Sequence, residues 1–141
     1  MTEIIRVSRL LRGVLFADAL TCLACGLLLS VANGFLQENF GLPAPFSFYA
    51  GLSLFPFAAF LIYLAVRQTV SKPAVWLVVG LNLLWTIDSF LILAAGWIAP
   101  NAFGTAFVSV QAIGVLIFAG LEYAALKRAE VVAFKDTAEM I

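Results

Sequence analysis

Apolar residues dominate four long stretches of the chain, which few polar side chains interrupt. The stretches cover approximately residues 13–34, 46–66, 74–99 and 102–126. Each exceeds the roughly 18 residues that suggest a membrane span. Because the backbone must satisfy its own hydrogen bonds in lipid, each stretch predicts a transmembrane helix rather than a strand.

The connections between these stretches are short and rich in turn-forming residues. Short connections place consecutive helices antiparallel and side by side. We therefore predict an all-α polytopic membrane protein, with residues 1–141 forming one domain, an antiparallel four-helix bundle. The tail at 127–141 mixes charged and apolar residues and is expected to extend the last helix into water. The turn signals are Asn33-Gly34, the segment Gly41-Leu42-Pro43-Ala44-Pro45, Ser71-Lys72-Pro73 and Ala99-Pro100-Asn101.

The basic residues all flank one side of the predicted spans. They precede the first span, lie between the second and third, and follow the fourth. By the positive-inside rule, this distribution predicts cytoplasmic termini and a cytoplasmic middle connection. The eight residues are Arg6, Arg9, Arg12, Arg67, Lys72, Lys127, Arg128 and Lys135.

The composition agrees with a membrane protein and excludes several classes of function. Hydrophobic residues make up 64% of the chain, charged residues 11%, and the mean hydropathy is +1.08; soluble domains carry about 25% charged residues. The formal net charge is zero, so there is no electrostatic basis for binding nucleic acid. The chain has no histidine and two cysteines, which removes histidine-based metal, haem and catalytic sites. We expect no enzymatic activity, no metal and no cofactor.

The first apolar stretch admits other interpretations, which the sequence disfavours. Arginines before an apolar run are typical of a secretory signal, but this run exceeds a signal core of about 7–15 residues and lacks a small-x-small cleavage site. Cys22 and Cys25 form a C-x-x-C motif, yet an apolar helix disfavours the reactive thiolate. Cys22, Gly26 and Ser30 instead form a ridge of small residues, which is expected to pack closely against another helix.

Asp88 is the leading candidate for a functional residue. It lies near the middle of the third stretch, and an ionisable group there costs about 2.5–3.5 kcal/mol on insertion scales. Asn82 and Trp85 give the same helix a polar flank. The alternative is structural: Asp88 hydrogen-bonds to a neighbouring helix and fixes the register of the bundle.

Pro56 and Gln111 complete this candidate proton or ligand site. Pro56 lies in the middle of the second stretch, where it removes a helical hydrogen bond to the Leu52 carbonyl and favours a kink. A kink opposite a buried acid would create a cavity, although the proline also serves as a packing device. Gln111 shares a helix face with Glu122, and this face is expected to point into the bundle.

Asp18 and Glu122 are secondary candidates. Asp18 lies about one and a half turns inside the first span, within reach of a snorkelling Arg12. Glu122 lies close to Lys127 and Arg128, so an interfacial ion pair is the simplest interpretation. For both acids we expect a structural role.

A short similarity between the first and third spans raises the hypothesis of an internal repeat. Asp18–Gly26 aligns with Asp88–Gly96 at matched Asp, Leu, Ala and Gly positions. A true repeat would consist of two parallel helical hairpins, with both acids at similar depth and able to share a proton. Chance similarity stays open, because Leu and Ala are common here and the second and fourth spans match poorly.

The chain resembles a bacterial group of small four-span integral membrane proteins, over nearly its whole length. The resemblance implies the membrane fold and, together with the charge distribution, a multi-pass protein of the bacterial inner (plasma) membrane, but no mechanism and no site residues. The span count also resembles that of small multidrug-resistance exporters, although the acid in the third span and the one-sided charge distribution depart from them. The residues that carry the first resemblance are Leu10-Leu11-Arg12, Ala17-Asp18-Ala19, Tyr49-Ala50-Gly51-Leu52-Ser53-Leu54-Phe55-Pro56-Phe57, Asn82-Leu83-Leu84-Trp85, Asp88-Ser89 and Gly104-Thr105-Ala106-Phe107-Val108.

Three functions are compatible with these features. The first is a non-enzymatic interaction or accessory subunit, embedded in the lipid bilayer and in contact with another membrane protein or a copy of itself. The second is a small proton- or cation-coupled carrier that uses Asp88, aided by Asn82, Gln111 and the Pro56 kink. The third is a lipid- or quinone-binding protein that uses Trp85 and the many phenylalanines.

Overall fold

The computed structural model describes residues 2–135, with side chains described as far as Val132. Within this range, four helices are long and apolar enough to cross a membrane, as the hydropathy pattern predicts. Their ends differ from the predicted boundaries by a few residues. In chain order the elements are β1 (Thr2–Arg6), α1 (Arg9–Val31), α2 (Asn33–Phe40), α3 (Ala44–Val66), β2 (Thr69–Ser71), α4 (Lys72–Ala95), α5 (Ala102–Lys127) and β3 (Val131–Lys135).

Local sequence signals explain where several helices begin and end. The Ser8 hydroxyl accepts a hydrogen bond from the Leu11 amide at 3.1 Å and caps α1. The Asn101 side chain caps α5 in the same way, accepting from the Gly104 amide at 2.9 Å. Gly41 and Gly96 end α2 and α4 with φ of 70° and 72°, a left-handed conformation that favours glycine.

The long helices pack as two pairs. Helix α1 packs along α3, α4 packs along α5, and α5 also contacts α1, whereas α3 and α4 do not pack along one another. The expectation that every pair of consecutive helices lies side by side is therefore wrong for α3 and α4. Their connection contains β2, which pairs with β1, so β1 lies beside the connection between these two helices.

A glycine contact explains why α1 and α3 pack so closely. A Cβ atom on Gly51 would lie 2.8 Å from the Ser30 amide nitrogen and 2.9 Å from the Gly26 carbonyl oxygen. Side chains larger than hydrogen would separate the helices at this point. The small-residue ridge of Cys22, Gly26 and Ser30 is thus part of the α1–α3 interface.

A small antiparallel sheet at one end of the bundle was not predicted. Within the described residues it has three strands in the order β2-β1-β3, and Ile5 of the central strand pairs with Val70 and Val131. The expectation that the tail extends the last helix is wrong, because α5 ends at Lys127 and β3 follows. Residues 136–141 of the predicted tail lie outside the described residues.

The sheet brings three distant segments of the chain to the same end of the bundle. These are the segment before α1, the connection between α3 and α4, and the segment after α5. The eight basic residues lie in or beside these segments. We call this the sheet end of the bundle.

The opposite end is formed by α2 and the start of α5. The connection predicted between the first two spans contains a helix, since Asn33–Phe40 is helical and buries Leu36. It is held against α5 by hydrogen bonds from the Asn101 amide to the Phe40 carbonyl, at 3.1 Å, and from the Asn101 side chain to the Asn39 carbonyl, at 2.7 Å.

Candidate functional site

Three polar side chains from three helices meet in the interior of the bundle. They are Asp18 of α1, Asn82 of α4 and Glu122 of α5, which are 1%, 2% and 0% exposed. The Asn82 amide nitrogen Nδ2 donates to Asp18 Oδ2 at 2.8 Å and to Glu122 Oε1 at 3.0 Å. The Cys22 thiol lies 3.6 Å from Asp18 Oδ1 as a weak donor. We call Asp18, Asn82 and Glu122 the carboxyl cluster.

No cation neutralises this cluster among the residues whose side chains are described. The ion pairs in that part of the chain are Arg6–Glu130 and Lys72–Glu3, both at the sheet end. Two carboxylates in contact cannot both ionise without a large electrostatic penalty, which is greater still in a bilayer. The cluster is therefore unusual, because buried charged groups ordinarily have a partner of opposite charge and these two acids have none among the described side chains.

The ion pairs predicted for these two acids are wrong. Glu122 is fully buried and hydrogen-bonds to Asn82, while Lys127 is exposed and stacks over the Tyr123 ring at 5.7 Å. Helical phase explains the difference, because a residue five positions from Glu122 points about 140° away from it. Arg12 does not pair with Asp18 either; its guanidinium donates to the Arg67 carbonyl at 3.3 Å.

A second polar cluster joins α4 and α5 nearer the opposite end. The Trp85 indole nitrogen donates to Gln111 Oε1 at 2.8 Å. The Gln111 amide donates in turn to the Ser89 hydroxyl at 3.2 Å and to the Val108 carbonyl at 3.0 Å. The polar side chains predicted on the third span thus hold Gln111 in place. These hydrogen bonds fix the side chains of both Trp85 and Gln111.

A cavity of about 520 Å³ lies in the cleft that α3 and α4 leave between them. Its walls come from α1, α3, α4 and α5. All five primary candidate residues line it, and Asp18 lines it as well, whereas Glu122 lies behind the wall. The candidate residues on the wall are Asp18, Pro56, Asn82, Trp85, Asp88 and Gln111.

Asp88 faces this cavity without a partner. Its side chain is exposed, and no hydrogen bond or ion pair reaches it from the side chains described through Val132. It also borders a smaller cavity of about 190 Å³, together with Cys25, Trp85 and Gln111. The alternative in which Asp88 fixes the register of the bundle is therefore wrong, and the interhelical hydrogen bonds belong to Asn82 instead.

The equal depth that a repeat requires for Asp18 and Asp88 is also contradicted. Asp18 lies level with Asn82, to which it is bonded. Asp88 lies six residues further along α4, which corresponds to about 9 Å along the helix axis. The acid that lies beside Asp18 is Glu122, since both carboxyl groups accept hydrogen bonds from the Asn82 amide nitrogen. The inward-pointing face that Gln111 shares with Glu122 was the sequence signal for this contact.

The two cysteines and the possibility of a metal site were the remaining chemistry in the sequence. Cys22 and Cys25 are free thiols, one buried and one half-buried. Within the described residues, no group of three or more histidine, cysteine, aspartate or glutamate side chains is arranged to hold a metal ion. What the cavity offers a ligand is therefore an apolar wall, aromatic rings and carboxyl groups.

Comparison with known proteins adds no relative. No protein family, no curated protein and no solved structure matches the chain at a significant level. Function must therefore be argued from the cavity and the carboxyl groups.

Proposed function

We propose that the protein is a small proton-coupled membrane carrier whose cavity binds a hydrophobic organic cation at Asp88. The supporting observation is the cavity of about 520 Å³, which Asp88 borders without a protein partner and which Asp18 and Asn82 border at a second level. An unpaired acid at membrane depth is costly, so it is expected to have a functional partner that the protein itself does not supply.

The chemistry of the wall favours a cation with an apolar body. Trp85, Phe57 and Phe60 contribute aromatic rings, whose faces attract organic cations. Leucine side chains of α3 and α4 add aliphatic surface to the wall. Neither lysine nor arginine lines the cavity within the described residues, so an anion would meet only repulsion. The cleft between α3 and α4 gives a ligand dissolved in the bilayer a route to Asp88.

We also propose that the sheet end lies in the cytoplasm of a bacterial cell and the α2 end faces outward. The eight basic residues lie at or near the sheet end, and the positive-inside rule places such an end in the cytoplasm. The carboxyl cluster would then lie on the cytoplasmic side of Asp88.

The binding test uses tetraphenylphosphonium, a hydrophobic cation whose charge does not change with pH. We expect saturable binding to the purified protein by equilibrium dialysis, and at least about tenfold weaker binding by Asp88→Asn, since the charge that attracts the cation is lost. Glu38→Gln is the matched control, because it removes an exposed acid from α2, away from the cavity. Equal affinity in wild type and Asp88→Asn would contradict the proposal.

The transport test uses proteoliposomes with an imposed pH gradient. Wild type is expected to move tetraphenylphosphonium in the direction opposite to the proton flux, and Asp88→Asn is expected to insert normally but to show no protein-dependent flux. Flux that is equal in the two proteins would contradict the carrier.

The cleft supports a second candidate, an accessory subunit. Because α3 and α4 do not pack along one another, a helix of a partner protein or of a second copy has room between them. A photo-crosslinking residue at Leu84, on the cavity wall, would then capture that helix in native membranes. Crosslinking to lipid alone would contradict this candidate and leave the cavity free for a small ligand.

A further inference from the structure

The carboxyl cluster has too few hydrogen-bond donors for its oxygen atoms. The Asn82 amide has two hydrogens, and its nitrogen serves one oxygen of Asp18 and one of Glu122. Asp18 Oδ1 has only the thiol of Cys22. Glu122 Oε2 is buried and receives no hydrogen bond from any donor described in the structure. A buried acceptor without a donor is costly, so the carboxyl cluster needs one more hydrogen than Asn82 and Cys22 supply.

A proton on the carboxyl pair supplies that hydrogen. Asp18 and Glu122 accept from the same Asn82 amide nitrogen at 2.8 Å and 3.0 Å, so their carboxyl groups lie side by side. Ionising both groups in this buried site carries a large electrostatic penalty, which is avoided when one of them holds a proton. We infer that Asp18 and Glu122 share a single proton and together carry one negative charge, which Asn82 stabilises. This is a second acid–base site in addition to Asp88.

The proton exchanges with the cavity and not with the sheet end. Asp18 and Asn82 line the cavity. Toward the sheet end, α1 and α5, the helices of the two acids, carry the buried apolar side chains of Leu11, Leu15 and Leu126. Asp18 is therefore the member of the pair through which the shared proton enters and leaves, and Glu122 is the member behind the cavity wall.

The surroundings contain few other groups that titrate or carry charge. Helix α1 contributes Cys22 and Cys25, and α4 contributes Asp88, further along the cavity. Helix α3 has only Tyr49 and Tyr63, both exposed. The remaining charged residues of α1, α4 and α5 lie near the sheet end, and they are Arg9, Arg12, Lys72 and Lys127. From the sheet, Glu3 pairs with Lys72 and Arg6 with Glu130.

The shared proton gives the cavity a means of coupling, and this step alone rests on the proposed function. A cation bound at Asp88 adds positive charge to the same cavity and favours loss of the proton from the pair. Loss of one proton from the pair and binding of one monovalent cation at Asp88 would then leave the net charge of the cavity unchanged. The inference of a shared proton depends on the geometry of the pair and not on what the cavity binds.

Infrared spectroscopy of the purified protein in lipid tests the shared proton. A protonated carboxyl group has a carbonyl stretching band that is separate from the bands of carboxylates and shifts in D₂O. We expect this band in wild type at neutral pH and in Asp88→Asn, and we expect its loss in the double variant Asp18→Asn/Glu122→Gln. A wild-type spectrum without the band, or a double variant that retains it in full, would overturn the inference.

The single variants test whether the proton is shared. Asp18→Asn changes the neighbour of Glu122 from a carboxyl group to an amide, so any remaining band is expected to move in frequency. An unchanged frequency would mean that Glu122 is protonated alone. Because Asn and Gln preserve side-chain shape, circular dichroism is expected to show the same helix content in all variants. If the double variant loses helix content, the folded single variants Asp18→Asn and Glu122→Gln decide the assignment, and a band that changes in neither of them would overturn the inference.

Adding tetraphenylphosphonium separates the two proposals. If both hold, the cation weakens the band in wild type but not in Asp88→Asn. If the cation does not bind and the band is present, the shared proton stands and the proposed carrier fails. If the cation binds and the band is absent from wild type, the carrier stands and the shared proton fails.

Discussion

The Nδ2 amide of Asn82 on α4 donates a hydrogen bond of 2.8 Å to the Asp18 carboxyl group on α1. Helix α1 packs mainly on α3, and α4 packs mainly on α5, so this bond joins the two helix pairs inside the bundle. Interhelical hydrogen bonds in membranes average only about 0.6 kcal/mol. The greater consequence of the bond is therefore to hold an acid at a fixed position on the cavity wall.

We predict that Asn82→Ala destabilises the protein by about 1–3 kcal/mol, because it leaves two buried carboxyl groups without their shared donor. The measurement is unfolding in mixed detergent and sodium dodecyl sulfate, followed by circular dichroism. Asn39→Ala is the control, since Asn39 is exposed and bonds only to the Phe35 carbonyl of its own helix through its side chain. A surface change of this kind is expected to stay within about 0.5 kcal/mol. Equal stability of the two variants would contradict the role of Asn82.

The four spans could be predicted from sequence because hydropathy is a local property. The helices that contain Pro56 and Asp88 are each long and apolar enough to cross lipid, whatever the rest of the protein does. The strands could not be predicted in this way. Strand β2 has three residues, Thr69–Ser71, and forms because β1 lies beside it, a contact between segments more than sixty residues apart.

The candidate site was predicted in part, for a related reason. The cost of an acid in lipid identified Asp88 from its position alone, and the polar flank identified Asn82 and Trp85. The contact between Asp18 and Glu122 depends on which helices are neighbours, since α5 had to lie against α1. Proximity in sequence to Lys127 suggested an ion pair for Glu122, whereas helical phase turned the carboxyl group inward.

We predict that Gly51→Ala destabilises the bundle by about 1–3 kcal/mol through overpacking. The new methyl group would lie within 3.0 Å of the Ser30 amide nitrogen, the Gly26 carbonyl oxygen and the Leu29 side chain. Two of these three contacts are with backbone atoms, which cannot move without separating α1 from α3. The same detergent unfolding assay measures the effect.

Gly80→Ala is the matched control for this change. Gly80 lies in the interior of α4, and a Cβ atom added there meets nothing within 4 Å. Alanine favours a helix over glycine by up to about 1 kcal/mol, so this variant is expected to be neutral or more stable. If Gly51→Ala were as stable as Gly80→Ala, the close approach of α1 and α3 would be wrong.

We predict that the two cysteines differ in reactivity toward a small membrane-permeant maleimide. Cys25 is half-buried and borders both cavities, whereas Cys22 is buried and its thiol is engaged with Asp18. Cys22→Ser, which retains Cys25, is therefore expected to label several times faster than Cys25→Ser. Saturating tetraphenylphosphonium is expected to slow the labelling of Cys25 if it fills the cavity. Equal rates for the two variants would contradict the arrangement of the α1 wall.

The orientation of the bundle is open to a labelling test at its two ends. Gln68 is exposed between α3 and β2 at the sheet end, and Glu38 is exposed on α2 at the other. In a Cys22→Ser/Cys25→Ser background, we predict that a maleimide that cannot cross membranes labels Glu38→Cys in intact cells and labels Gln68→Cys only after lysis. The reason is that all eight basic residues lie on the Gln68 side of the predicted spans, and translocating them is disfavoured. The reverse pattern would place the carboxyl cluster on the outer side of Asp88, and a proton would then enter the pair from the opposite direction. Labelling of both sites in intact cells would indicate two orientations in one membrane, which the one-sided charge of this chain argues against.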